Sequence, residues 1–156
     1  MDTKINEQAF VEKFINCFAQ LYDGNSVTTP RASNQSTYTD CEVILENEVV
    51  KIEAKLLNDN GNNSTNFYNL LGEIIGAIKK DSCLKKACRD TKKECLAFLI
   101  PASSKETFDK LWEKNIGRET GQKYCDSFNV KYLITFDAEK QRITKYSFNP
   151  ELNLWE

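Results

Sequence analysis

Residues 39–56 read TDCEVILENEVVKIEAKL, and the fold follows from how this stretch alternates. Two short runs, 41–46 and 49–56, are separated by Asn47-Glu48. Apolar and polar residues alternate in both, the pattern of paired strands in a β-hairpin. With a connection of two or four residues centred on Asn47-Glu48, Glu46 faces Val49, Glu42 faces Glu53 and Asp40 faces Lys55. Successive side chains of a strand point to opposite faces. One face then carries Cys41, Val43, Leu45, Val50, Ile52, Ala54 and Leu56, all suited to a core. The other carries Asp40, Glu42, Lys51, Glu53 and Lys55.

Directly opposed Cβ atoms lie about 5 Å apart and diagonal ones about 7–8 Å, so Asp40, Glu53 and Lys55 are neighbours by pairing geometry. Two carboxylates that close repel unless a cation lies between them. Magnesium suits the position, with manganese as a substitute: it is a hard ion that takes oxygen ligands, keeps waters and binds through one or two carboxylates plus phosphate. The carbonyl of Ala54, between the charged residues, offers a further oxygen. Metal-bound water is a stronger nucleophile, the ion neutralises charge on a scissile phosphate, and a Lys55 ammonium can position that water or stabilise the transition state. An amphipathic hairpin with one wet face and an Asp40–Lys55 ion pair produces the same alternation, so pattern alone does not choose between the two.

An aspartate opening one strand followed by Glu-x-Lys on the next resembles the signature of the PD-(D/E)XK nuclease superfamily. Here it reads Thr39-Asp40 and Glu53-Ala54-Lys55, thirteen residues from acid to acid. The resemblance implies an α/β fold with a restriction-endonuclease-like αβββαβ core over roughly residues 5–100, and magnesium-dependent cleavage of DNA. It also implies Asp40 and Glu53 as metal ligands and Lys55 as the catalytic lysine. Thr39 stands where the signature has proline. The second helix lacks a Gln-x-x-x-Tyr motif, which argues against the RecB-like branch, while Arg31-Ala32-Ser33 looks like the resolvase-type arrangement. Members often bring a first-helix glutamate to the metal. Glu7 shares the helical angle of Val11, Phe14 and Phe18, so it points inward while Glu12 lies on the polar flank. A first-turn acid that merely complements the helix dipole would look the same.

Outward from the hairpin, Phe10, Val11, Phe14, Phe18, Leu21 and Tyr22 mark a first helix, with Asn6 as cap, an Ile5–Phe10 staple and Gly24 as its end. Residues 25–39 are polar and leave room for one short strand. Phe67, Leu70, Leu71, Ile74, Ile75 and Ile78 define a second helix, with Gly72 and Gly76 on its other side where a backbone or ligand can approach. Residues 94–100 read as a buried strand stopped by Pro101, Lys105–Asn115 as a helix capped by Ser104, and 130–136 and 142–148 as a terminal hairpin after a further helical turn.

The 156 residues fit one domain with one core, and 40% hydrophobic with 28% charged residues argues against disorder. No apolar run is long enough to span a bilayer and the N-terminus lacks a signal-peptide core, so a cytoplasmic protein without membrane attachment is expected. Reduced thiols are expected for the six cysteines: Cys83, Cys88 and Cys95 cluster, but no CxxC spacing marks a metal site. Histidine is absent, which excludes imidazole relays and ligands. Residues 1–60 carry five basic and ten acidic side chains, whereas 79–93 carry seven basic and two acidic. A basic stretch beside an acidic site suits a phosphate polymer, and a solvated helix end explains the same charges. Arg31, Ser33, Lys85, Lys86 and Arg89 are the candidate DNA contacts. Paired cuts on two strands would call for a symmetric homodimer, although nothing in the sequence locates an interface. The alternatives are a non-catalytic nucleic-acid-binding or assembly protein that keeps a nuclease-like fold, and an unrelated α/β domain whose hairpin face is simply wet.

Overall fold

The structure, a computed structural model, describes residues 3–22, 27–28, 39–57, 63–80 and 93–156. The hairpin is present as β2 (Cys41–Leu45) and β3 (Glu48–Ala54), with Leu45 opposite Glu48, Val43 opposite Val50 and Cys41 opposite Ile52. Its turn is the two residues Glu46 and Asn47, with φ of 52° and 64°. Positive φ at both central positions suits the right-handed twist of the flanking strands. This turn lies one residue earlier than the pattern predicts, so every pairing moves by two. Glu42 faces Lys51 rather than Glu53, and Asp40 is not across from Lys55. A slip of two residues leaves each side chain on its expected face, whereas a slip of one would have inverted them all.

One face of the hairpin is core. Cys41, Val43, Leu45, Val50, Ile52 and Ala54 pack with Val11, Phe14, Cys17 and Phe18 of α1 (Thr3–Leu21), while Leu56 is only half-buried. The other face is not wet. Glu42, Lys51 and Glu53 are buried because β3 is an interior strand. On its far side β4 (Lys93–Pro101) runs parallel to it, and α2 (Asn63–Ala77) makes the crossover between them.

β4 in turn pairs parallel with β5 (Val130–Asp137), through α3 (Lys105–Asn115) and α4 (Arg118–Phe128). Two crossovers of one hand moving in the same direction leave their helices on one face. Accordingly α2, α3 and α4 share a core of Phe67, Leu70 and Ile74, Phe108 and Trp112, and Cys125, packed on Phe98 of β4. β6 (Arg142–Asn149) and β7 (Leu154–Trp155) continue antiparallel, and β1 (Val27–Thr28) flanks β2. Among the described residues the sheet has seven strands, in the order β1-β2-β3-β4-β5-β6-β7. The architecture is the mixed α/β expected, with the order α1-β1-β2-β3-α2-β4 over its first part.

Details depart from expectation. Helix α1 starts at Thr3, so Asn6 lies inside it and not at its cap; the Ile5 side chain and Gly24 lie outside what is described. Leu21, Tyr22, Ile75 and Ile78 are exposed; among the described residues none comes within 4 Å of a Cβ placed on Gly72 or Gly76, so that side of α2 is open. Ser104 precedes α3, but its hydroxyl donates to the Leu57 carbonyl instead of capping the helix. The single turn expected before β5 is the three-turn helix α4. Among the described residues no helix is long and apolar enough to cross a membrane.

Candidate metal centre

Asp40 stands at the entrance to β2. Thr39 is buried just before it and its hydroxyl donates to the Cys41 carbonyl at 3.0 Å, which fixes the approach of the chain. One Asp40 oxygen, Oδ2, accepts the Ala54 amide at 2.8 Å. Glu53, one residue back along β3, is 2% exposed, and its carboxylate stands beside that of Asp40. Glu73 reaches the same spot from α2: carboxylate oxygens of Asp40, Glu53 and Glu73 all lie within 4.8 Å of one another.

Two lysines border these acids. Lys55 places Nζ 2.8 Å from Glu73 Oε1 and 3.8 Å from Glu7 Oε1. Lys80, just beyond α2, places Nζ 3.1 Å from Glu53 Oε1. Glu7 reaches round from α1, is half-buried where Glu12 is exposed, and accepts the Leu56 amide at 3.3 Å. It therefore adjoins Lys55 and stands outside the set of three clustered carboxylates.

Burial, and then the negative charge of Asp40, push the Glu53 carboxyl up to about 9, with Lys80 offsetting only part of the rise. Glu7 is also raised, by burial and by Asp40 and Glu73, against Lys55 and the Leu56 amide. Burial alone would lower Lys55. The hydrogen bond and charge of Glu73, with the charges of Glu7 and Asp40, outweigh that and raise it. A buried carboxyl displaced so far upward holds a proton at neutral pH unless a cation replaces it. Clustered carboxylate oxygens, with no sulfur or imidazole among them, are a donor set that fits a hard divalent ion such as magnesium or manganese.

Asp40, Glu53, Lys55 and Glu7 are thus brought together, with Ala54 contributing its amide to Asp40. Arg31, Ser33, Lys85, Lys86 and Arg89 lie outside the described residues. So do Cys83 and Cys88, while Cys17, Cys95 and Cys125 are buried free thiols and Cys41 is buried in the core. Sequence reasoning missed Glu73, although a signal existed. It is the only charged residue in the fifteen of α2 and lies three after Leu70 and four before Ala77, both buried. Lys80 was hidden among the other basic residues of the run 79–93, where nothing in the sequence marks it out.

No protein-family model matches the chain, and no curated protein matches it. Among solved structures it is similar to the crystal structure of an XisH family protein from Nostoc punctiforme PCC 73102, at 13% identity and a TM-score of 0.48. That match covers 92% of this chain and 98% of the other. At this distance nothing about residues or chemistry transfers.

Proposed function

We propose that this protein is a divalent-metal-dependent endonuclease that hydrolyses DNA phosphodiester bonds. One observation carries the reading: three carboxylates meet within 4.8 Å, and a lysine pinned between two acids stands beside them. Magnesium or manganese would be held by Asp40 and Glu53, with the Ala54 carbonyl and Glu73 as further oxygen donors. When bound, such an ion activates a water and neutralises charge on the phosphate. Lys55 stays charged between Glu73 and Glu7, so it acts as a donor, aligning the attacking water or a phosphate oxygen, and does not remove the water's proton. The strongly basic stretch 79–93, with Arg31, supports a polyanionic substrate on grounds of charge, and the Ser33 hydroxyl would add a hydrogen-bond donor for phosphate.

The test is incubation of plasmid, linear, single-stranded and branched DNA, and of RNA, with magnesium, manganese or EDTA. Cleavage of DNA that needs the metal and is lost in Asp40→Asn and Lys55→Ala is the expected result. Equal cleavage by either purified variant would overturn the assignment. A second reading, nucleic-acid binding without cleavage, draws on the lysine already paired with each of Glu53 and Glu73. Binding with no metal-dependent product on any of these substrates would favour it.

A further inference from the structure

We propose that Asn66 and Ser104 are positioning residues for Lys55: together with Glu7 they clamp the three residues, 55–57, on which that lysine is carried. The inference rests on the reading of Lys55 above and concerns two residues outside the clustered acids and lysines. β3 ends at Ala54. The Lys55 amide still donates to the Leu99 carbonyl of β4 at 3.0 Å, a last rung of the parallel ladder. Beyond it, three backbone groups are answered by side chains. The Leu56 amide donates to Glu7 Oε1 at 3.3 Å, the Leu56 carbonyl accepts Asn66 Nδ2 at 3.1 Å, and the Leu57 carbonyl accepts the Ser104 hydroxyl. These side chains come from three separate places: α1, α2 and the turn Ala102–Ser104 ahead of α3. The Leu57 side chain completes the clamp, buried in the core that α2 and α3 share.

Two details tie the clamp to the lysine. Ser104 stands where a helix cap would, yet it makes no cap bond; its buried hydroxyl is used on Leu57. Glu7 applies one oxygen, Oε1, both to the Leu56 amide and to the Lys55 ammonium, at 3.3 and 3.8 Å. The main chain at 56 and the charge at the tip of 55 thus share an anchor. A lysine ammonium rides on a flexible four-carbon stem. Glu73 holds the tip at 2.8 Å, but the tip reaches that place only if the stem starts from a fixed Cα. Backbone carbonyls taken out of water need partners. Without Asn66 or Ser104, residues 55–57 shift to find others, and the Lys55 Cα shifts with them. A displacement of about 1 Å in a reacting constellation can cost on the order of 10²-fold in rate.

Three measurements on the full chain test this: single-turnover DNA cleavage with magnesium, DNA affinity in EDTA, and the proton–nitrogen NMR signal of the Lys55 ammonium, assigned by its loss in Lys55→Arg. The variants are Asn66→Ala and Ser104→Ala, with Gly121→Ala as a control that crowds Phe148 and Trp112 instead. Asn66→Ala and Ser104→Ala should cleave about tenfold to a hundredfold more slowly with DNA affinity nearly unchanged, and their Lys55 ammonium signal should broaden or vanish. Gly121→Ala should keep the rate and signal of the wild type. Wild-type rate and signal in both clamp variants would overturn the proposal, as would an equal loss of rate in Gly121→Ala. Should Ser104→Ala fold poorly, Asn66→Ala, half-buried on α2, decides alone. If the wild type cleaves no DNA, the nuclease reading falls and the ammonium signal decides the clamp by itself: lost in Asn66→Ala it stands, unchanged it goes.

Discussion

At Glu53 the consequence of burial can be read as a pH dependence. Its carboxyl is raised from an ordinary value of 4.5 to about 9 in the folded chain, first by burial and then by Asp40. Between those limits the native state holds a proton that the unfolded chain has released, so ion-free stability falls as pH rises from about 5 to about 9. Glu53→Gln imitates the protonated acid and should flatten that fall. Urea midpoints in EDTA at pH 5 and pH 9 should diverge between the two proteins, and parallel curves would contradict the assigned environment. Glu73 makes a separate prediction. Glu73→Gln removes the anion closest to Lys55 and should slow single-turnover cleavage by roughly 10²-fold, the scale of losing one preorganised electrostatic contact. The fold should survive, because that side chain is 37% exposed; a rate within twofold of wild type would exclude the role. Asp40, Glu53 and Lys55 were legible because strand alternation and a short motif both concern near neighbours in the chain. Glu73 and Lys80 approach only through the angle at which α2 docks, and a single sequence does not state an angle.

The hairpin turn shows what local pattern determines for an element and what it leaves open. Glu46 and Asn47 both take positive φ, a conformation glycine adopts without a Cβ penalty. Asn47→Gly should therefore stabilise the protein, by about 0.5 kcal/mol in urea unfolding; destabilisation would mean that the Asn47 side chain contributes something the turn geometry does not reveal. The same alternation that revealed two strands permitted turns one residue apart, since both keep the apolar face intact. Helix α4 was under-read for a different reason. Its inward positions 121, 124, 125 and 128 have helical spacing, but the first is glycine and the rest of RETGQKYCDSF is polar. The bounds of α3 were readable because proline, serine and a clear apolar stripe coincide there.

At the scale of the molecule, the face pairing of the hairpin was legible but its covering was not. Alternation tells which residues share a face and is silent on whether a parallel strand and a crossover helix will close over it. The far end of the sheet is packed just as tightly. A Cβ on Gly121 would meet Phe148 at 3.0 Å, Trp112 at 3.1 Å and Asn153 at 3.2 Å. Asn153 is bonded both to the Trp112 indole and to the Ile116 carbonyl, at 3.0 and 2.9 Å. Gly121→Ala should then cost about 1–3 kcal/mol, as overpacked cores do, measured as a lowered urea midpoint. An unchanged midpoint would show that the C-terminal residues give way freely.

The strands stand in space in the order in which they stand in the chain. For a chain emerging from the ribosome, this means each new strand finds its docking edge already made. The acids and lysines of the centre, from Glu7 to Lys80, are all synthesised before the first residue of β4, Lys93. Until that strand arrives, β3 is an open edge and its charged side chains remain in water. The ionic cluster is thus translated early and desolvated late. Its cost of burial falls only after β4 and β5 exist to supply the apolar contacts that offset it.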